Sequence, residues 1–327
     1  MDALVTGATG CVGANIVEAL LARGYGVRAL RRATSRLDAL AGLTPEWAVG
    51  DVLDESALRA AMDGCAWVFH AAAVSQYWRS HPDEIYRVNV TGTRNVLRAA
   101  QVCGVRRVIF TSSVAVLGVP TRAGQLLDET ATFNLHPAQF HYGHSKWLAE
   151  ADVQRAVAQG LDVVIVNPAS VIGQRDVNFV GGEILRMVAR GLMPAAPPGA
   201  MGIVGARVVG LGHVLAAERG RAGERYILNG ENVPHRALLA LVAEVTGARL
   251  PWITLTPALM RGAAGAVRLG TYLYGKSLPV DAAQLALSAR AMCFDGRKAH
   301  RELAFPFVSA RAAVQEAWDW YGAHGGL

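Results

Sequence analysis

Ala3-Leu4-Val5-Thr6-Gly7-Ala8-Thr9-Gly10-Cys11-Val12-Gly13 is the stretch whose reading decides the fold. An apolar run enters a glycine-spaced turn, and Val12–Arg23 then carries helical periodicity, closed by Gly24. Gly7 permits the tight turn, Gly10 lets backbone N–H groups approach an anion with no Cβ in the way, and Gly13 lets the helix sit close to the strand. A helix N-terminus adds partial positive charge. This strand–turn–helix unit is predicted to cradle a dinucleotide's diphosphate, through Gly7, Thr9, Gly10, Cys11, Val12 and Gly13.

Working outward, short apolar runs alternate with helical patterns. Strands are expected at Ala3–Val5, Val27–Arg31, Trp47–Val49, Trp67–His70, Val108–Thr111 and Val163–Val166. Helices are expected at Glu55–Met62, Asp83–Val102 and Ser145–Ala158. Continuous β-branched runs between helices mark strands buried on both faces, hence an α/β fold with a doubly wound parallel sheet. After Pro168 the rhythm breaks. Gly and Pro cluster at Gly191–Gly205, and a short strand at Tyr226–Leu228 mixes with helices at Arg236–Val245, Ala258–Leu273, Asp281–Ala291 and Ala310–Tyr321. The expected organisation is a dinucleotide-binding domain over 1–168 and a smaller mixed substrate lobe over 169–327, with the chain free to pass between them. A ligand would sit in the cleft.

The end of the second strand reads the cofactor. An acidic residue there would accept hydrogen bonds from the ribose hydroxyls of NAD. This chain has Arg28-Ala29-Leu30-Arg31-Arg32 and no acid until Asp38. Guanidinium groups at Arg31 and Arg32 suit the 2′-phosphate of NADP, so NADP is expected and NAD is the alternative. Asp51 and Val52 are placed for the adenine edge. Ala71, Ala72 and Ala73 offer small side chains where the cofactor's middle passes, and His70 reads as a packed histidine.

Tyr142 and Lys146 stand four residues apart and share one helix face. A tyrosine of ordinary pKa, about 10, is a poor acid or base at neutral pH, and a neighbouring ammonium is expected to lower it. Ser113, closing the fifth strand, is placed to hold a substrate oxygen beside Tyr142. These three residues together point to proton transfer accompanying hydride transfer.

With these motifs in order, the chain resembles the extended short-chain dehydrogenase/reductase family, also called the NAD-dependent epimerase/dehydratase family. The likeness is carried by Thr6–Gly13, Asp51, His70–Ala73, Asn89-Val90-Thr91-Gly92-Thr93, Thr111-Ser112-Ser113, Tyr142–Lys146 and Asn167-Pro168. It implies a Rossmann fold, with Ser113, Tyr142 and Lys146 catalytic and Asn89 supporting them. It also implies that Thr111, Tyr142, Lys146, Asn167 and Pro168 meet the cofactor. Within the family the chain is most similar to dihydroflavonol 4-reductase-like proteins and hopanoid-associated sugar epimerases, through Val27–Arg32, Gly64–Ala73, and Trp78-Arg79 followed by Glu84–Asn89, where Arg32 would meet the 2′-phosphate. It departs from the pattern at Cys11, where an aromatic is usual. It departs also at Val204–Val208, and at Met201 and Leu285, where sugar-nucleotide enzymes place arginines. Arg207 and Arg290 are nearby but out of register. These departures favour a carbonyl reductase over a nucleotide-sugar epimerase or dehydratase with tightly bound NAD. A non-catalytic dinucleotide sensor or scaffold is the third reading, and the presence of Ser113, Tyr142 and Lys146 speaks against it.

The 327 residues are 52% hydrophobic and 18% charged, enough apolar material for a sizeable core. The net charge of +6 comes from scattered arginines without aromatic interleaving, so no nucleic-acid partner is expected. Cys11, Cys65, Cys103 and Cys293 form no C-x-x-C pair, which argues for a reducing compartment and against structural zinc. With no signal peptide, a cytoplasmic location is expected. Neither H-E-x-x-H nor a nucleophile elbow occurs, so His136, His141 and His144 read as loop or pocket residues, and no metal is expected. Ala258–Tyr274 is apolar but interrupted by Arg261 and Arg268, which suits a groove-covering or surface-seeking helix rather than a membrane span. Val74–Trp78, Val114, Phe140, His141 and Ala169–Val171 are the expected pocket lining. By the resemblance, Asp83–Val102 and Ser145–Ala158 would pair across a two-fold axis into a homodimer.

Overall fold

The computed structural model describes residues 2–193, 195–250, 253–274 and 282–324. The first half runs β1 (Ala3–Thr6), α1 (Cys11–Ala22), β2 (Val27–Arg31), β3 (Glu46–Val49), α2 (Glu55–Met62), β4 (Trp67–His70), α3 (Pro82–Tyr86), α4 (Thr93–Val102), β5 (Arg107–Thr111), α5 (His141–Ala158) and β6 (Val163–Pro168). It continues through β7 (Ser170–Ile172), α6 (Glu183–Ala189), β8 (Ala195–Ala196), β9 (Ala200–Gly205), α7 (Ala206–Arg219), β10 (Arg225–Leu228), β11 (Glu231–Pro234) and α8 (His235–Thr246). The remainder is β12 (Ile253–Thr254), α9 (Pro257–Tyr274), α10 (Ala282–Ser288), β13 (Ala291–Met292), α11 (Arg297–Leu303) and α12 (Ala310–Ala323).

A seven-stranded parallel sheet of order β10-β6-β5-β4-β1-β2-β3 organises the molecule. β1, β4 and β6 are buried along their whole length because helices cover both faces. Val5, Phe69, Ile109 and Val164 point to the side of α1 and α7. Leu4, Val68, Val108 and Val163 point to the side of α2, α4 and α5. The winding reverses between β1 and β4, whose ends Thr6 and His70 are paired. The crevice at such a switch point is where this architecture binds ligands. A second sheet of β11-β9-β13, with β7 also on β9, packs with α6, α8 and α12 around a separate apolar core.

Three expectations are corrected. Tyr226–Leu228, read as a strand of the smaller lobe, is the seventh strand of the main sheet, parallel to β6. The preceding helix α7 also returns to it. Gly210 lies so close to α1 that a Cβ there would be 2.2 Å from the Asn15 carbonyl oxygen. Composition could not reveal this, because β10 is edge-paired and its partner lies sixty residues upstream. The predicted continuous helix Asp83–Val102 is interrupted by a π-helical turn over Arg87–Gly92, the turn that carries Asn89. Of the expected helix Asp281–Ala291, Asp281 lies outside the described residues, the helix ends at Ser288, and Ala291 is in a strand.

Candidate active site

The glycine loop divides its three glycines by task. Gly7 has φ +67°, and a Cβ there would meet the Ala72 backbone nitrogen at 2.5 Å. A Cβ on Gly13 would fall 2.1 Å from the Gly7 carbonyl oxygen. The fold itself requires both residues. At Gly10 the nearest atom to a Cβ would be the Gly7 oxygen at 3.4 Å, an ordinary contact, and φ is −94°. Packing therefore leaves space above Gly10, where the first N–H groups of α1 emerge with no side-chain cap. That is the shape a diphosphate fits. Cys11 turns its thiol to the Gln174 carbonyl oxygen at 3.6 Å, so it offers a ligand its backbone N–H. Burial, reinforced by Asp176 and Glu316, raises the thiol's pKa and keeps it neutral. Thr9 and Val12 flank this space, half-buried.

Ala71, Ala72 and Ala73 follow β4 directly against Gly7. Arg31 and Arg32 stand at the end of β2. Arg31 lies over Trp47, 5.8 Å from the ring centroid, and its Nε is buried without a hydrogen-bond partner. Arg32 is exposed. Asp51 Oδ1 accepts the Leu53 N–H at 2.9 Å, and Val52 is buried beneath Gly92. The glycine turn, the small residues after β4 and the groups at the ends of β2 and β3 fit a dinucleotide.

Ser113, Tyr142 and Lys146 meet at the carboxyl ends of β4, β5 and β6. Ser113 caps a short 3₁₀ turn, Val114–Leu117, with its Oγ accepting the Ala115 N–H at 3.1 Å. Its hydroxyl is then free to donate, and its influence on Tyr142 is to favour the phenolate. α5 begins at His141, four residues earlier than expected, which places Tyr142 in its first turn. Gly143 makes this approach possible, since a Cβ there would be 2.9 Å from the Ala115 carbonyl oxygen. Tyr77 stacks on Tyr142 with centroids 5.5 Å apart and planes 18° apart, and Phe140 and Trp78 close an aromatic wall around Tyr77. Burial raises the Tyr142 pKa above its usual value, opposed by the Ser113 hydroxyl. The expectation that Lys146 sets this phenol low is thus not met.

The Lys146 ammonium instead donates to the Thr111 carbonyl oxygen at 2.7 Å and lies 5.0 Å from the Phe110 ring centroid. Burial pulls its pKa down to about 8, and Glu150 opposes the fall. Glu150, itself buried, accepts from Asn167 Nδ2 at 2.7 Å and is ion-paired with Arg225 of β10 at 2.7 Å. Asn167 also donates to the Ser113 carbonyl oxygen at 3.1 Å, while its own Oδ1 is buried and unpartnered. Pro168 ends β6 opposite Leu228. Glu150 and Arg225 escaped the sequence reading. The four-residue step from Lys146 would have placed Glu150 on the same helix face, but Arg225 is joined only by the fold.

Asn89 ties the parts together. Its Oδ1 accepts the Val74 N–H at 2.8 Å, and its Nδ2 donates to Ser145 Oγ at 3.0 Å, which in turn donates to the Tyr142 carbonyl oxygen at 2.7 Å. Thr93 donates to the Asn89 carbonyl oxygen at 2.7 Å, so His70 Nε2 must donate to Thr93 and His70 Nδ1 must accept from Thr6. His70 is buried, with its pKa pushed down to about 3 by burial and Lys146, and is a packed neutral histidine as expected. His213, unsuspected in the sequence, does the same below Thr111. Its Nδ1 donates to the Val209 carbonyl oxygen, Nε2 accepts from Thr111 at 3.0 Å, and burial lowers its pKa to about 4. Tyr86 bonds both His141 Nδ1 and His144 Nδ1, and no cluster of metal-ligating groups occurs among the described residues.

The profile of the NAD dependent epimerase/dehydratase family matches residues 3–202. A dihydroflavonol 4-reductase assigned provisionally in Synechocystis sp. is 40% identical over 98% of this chain and 94% of its own. Sterol demethylase protein B of Methylococcus capsulatus is 36% identical over 99% of both chains. The crystal structure of a nucleoside-diphosphate-sugar epimerase from Pseudomonas aeruginosa superposes with a TM-score of 0.83 at 26% identity, covering 99% of this chain and 98% of that one. The chain therefore belongs to the NAD dependent epimerase/dehydratase family and is an NAD(P)-dependent enzyme of the extended short-chain dehydrogenase/reductase type.

Proposed function

We propose that this enzyme reduces the carbonyl group of an uncharged, ring-bearing or aliphatic substrate with NADPH. The observation that carries the proposal is the half-buried Tyr142–Ser113 pair, with Tyr77 stacked on the phenol ring. A phenol beside a serine hydroxyl, at the carboxyl ends of the strands where this architecture binds its ligands, is placed to give a carbonyl oxygen its proton.

Ser113 donates a hydrogen bond to the substrate oxygen and orients it. Tyr142 gives that oxygen its proton as negative charge develops. Lys146, fixed on the Thr111 carbonyl, presents its positive charge beneath the site, and Asn89 holds α5 against the loop after β4. The nicotinamide supplies the hydride when bound. Gly10, Cys11 and Val12 would hold the diphosphate, Arg31 and Arg32 the 2′-phosphate, and Asp51 and Val52 the adenine edge. Ala71–Ala73, Thr111, Asn167 and Pro168 would line the path toward the reacting end. The second sheet with α6, α8 and α12 forms the substrate lobe in this reading.

Two features support an uncharged substrate. The wall beside Tyr142 is aromatic, from Tyr77, Trp78 and Phe140. Arg207, the arginine nearest the sugar-nucleotide pattern, is already committed to Gln174 at 2.9 Å and to Glu316. A diphosphate leaving water without such a partner is poorly compensated. The likeness to a nucleoside-diphosphate-sugar epimerase favours a second reading, in which NAD(H) stays bound and the hydride returns within one turnover.

The test is thermal stabilisation by NADPH against NADH, then a carbonyl panel with the better cofactor, then Tyr142→Phe. The expected results are a larger melting shift with NADPH, NADPH oxidation with at least one carbonyl, and loss of that turnover in the variant with the melting shift retained. Purification with one equivalent of bound NAD(H) and no response to added NADPH would support the epimerase reading instead.

A further inference from the structure

Among the described residues, eleven large hydrophobic side chains are exposed, and five of them belong to α9 or to the segments around the β8–β12 pair: Leu192, Leu250, Ile253, Leu259 and Leu269. The backbone links them in sequence and by strand pairing. Leu192 leads into β8, β8 pairs with β12, Leu250 and Ile253 belong to the approach and start of β12, and α9 begins three residues after it. α9 buries Met260 and Ala264 and half-buries Val267, a single stripe at i, i+4 and i+7. Around the rest of the helix Leu259, Gly262, Ala263, Gly265, Ala266 and Leu269 are exposed and uncharged, and Arg261 is exposed on the flank opposite Leu259.

Between Glu244, which is paired with Arg311, and Asp281 the sequence contains no Asp or Glu. Arg190, Arg249 and Arg261 are exposed, each within two residues of an exposed leucine. Apolar side chains to insert, with arginines at the rim to meet headgroup phosphates, are the pattern of a helix lying in a membrane interface. No helix among the described residues is long and apolar enough to cross a membrane. A second copy of this chain would bring like charge against like, which disfavours self-association through this face.

We propose that this region, with α9 lying in the interface plane, is a docking surface for an anionic lipid bilayer. Leu259, Leu269, Ile253, Leu250 and Leu192 enter the acyl boundary, and Arg190, Arg249 and Arg261 contact phosphate headgroups. The proposal is independent of the reaction assigned above, since it is read by binding alone.

The test is co-sedimentation of the full chain with vesicles of phosphatidylcholine alone or with one-third phosphatidylglycerol, at low and high salt. The expected result is at least about tenfold stronger partition onto the anionic vesicles, lost at high salt. Arg261→Glu changes the local charge by two and should weaken that partition by more than about tenfold. Leu259→Asp with Leu269→Asp should abolish it, with a circular-dichroism melt checking that the variant is folded. Should that double variant fail to fold, Arg261→Glu and the salt series carry the test alone. No sedimentation with either vesicle overturns the proposal, as does equal binding to both or binding that Arg261→Glu leaves unchanged. Concentration-dependent dimers in ultracentrifugation that vanish in the leucine variant also overturn it, because the face would then be a contact between copies.

Discussion

The Lys146 ammonium donates to the Thr111 carbonyl oxygen at 2.7 Å, one helical turn beyond Tyr142 and roofed by Phe110. One carbonyl and one ring are thin compensation for a buried cation, and its pKa falls to about 8 as a result. Turnover in the reductive direction should therefore hold level near neutrality and decline as pH rises through about 8, where the site loses its positive charge. A kcat/KM profile for carbonyl reduction reads this limb directly.

The same group has a stability signature. Lys146 keeps its proton to about 10.5 in the unfolded chain but only to about 8 in the native one. Between those values the unfolded state binds more protons, so this residue's contribution makes the protein more stable as pH rises. Urea unfolding of the wild type against Lys146→Met, at pH 7.5 and at pH 10, should show the wild type gaining on the variant by on the order of 3 kcal/mol. Equal pH dependence in both would show that Lys146 is not desolvated.

The three glycines of the first turn separate structure from ligand binding. Gly13→Ala would drive a Cβ to 2.1 Å from the Gly7 oxygen and should cost several kcal/mol or prevent folding. Gly10→Ala meets only an ordinary contact at 3.4 Å, at a φ open to any residue, and should change stability by about 0.5 kcal/mol or less. Its methyl group should nonetheless cut cofactor affinity by about tenfold or more, since it fills the space over the N–H groups of α1. Melting curves with and without NADPH distinguish the two effects.

Cofactor choice should lie with two side chains. Among the described residues neither Arg31 nor Arg32 forms an ion pair, and Arg31 Nε lacks a partner while buried beside Trp47. A charge-assisted hydrogen bond to phosphate contributes about 1.5–3 kcal/mol. Arg31→Ser with Arg32→Ser should lower the NADPH-to-NADH ratio of kcat/KM by about tenfold to a hundredfold, leaving the NADH value nearly constant. A ratio that does not move would remove both residues from the 2′-phosphate site.

Local sequence signals were enough where the chain's own neighbours decide structure. Ala3–Gly13 announces strand, turn and helix because glycine spacing and apolar run are adjacent, and Tyr142 and Lys146 announce one helix face because both lie on α5. Signals failed where the partner is remote. β10 joins the main sheet through pairing with β6, and His213 reaches Thr111 from a helix whose sequence suggests only burial. α4 and α5 turn Val96, Leu97, Ala149 and Val153 to the sheet, and Arg94, Arg98 and Arg155 stand away from it. Periodicity reports that a helix has an apolar side, but it cannot say whether sheet or partner covers it.

Glu150 is the sharpest case of a remote partner with a local consequence. It is buried one turn beyond Lys146, and its charge raises the lysine's pKa against the pull of burial. Asn167 and Arg225 hold its two oxygens, and Asn167 passes the constraint to the Ser113 carbonyl. Glu150→Gln keeps the shape but removes the charge that both Lys146 and Arg225 face. Leaving a buried cation unpaired costs about 3–5 kcal/mol, so the melting temperature should drop. A purely structural role would stop there. A positioning role predicts more: without the carboxylate, Lys146 deprotonates at lower pH, so the alkaline limb of kcat/KM should move below the wild-type limb near 8. Glu150→Asp, which keeps the charge on a shorter arm, should recover most of the limb's position while recovering less of the stability. A limb that stays in place in Glu150→Gln, in protein shown to be folded, would confine Glu150 to packing.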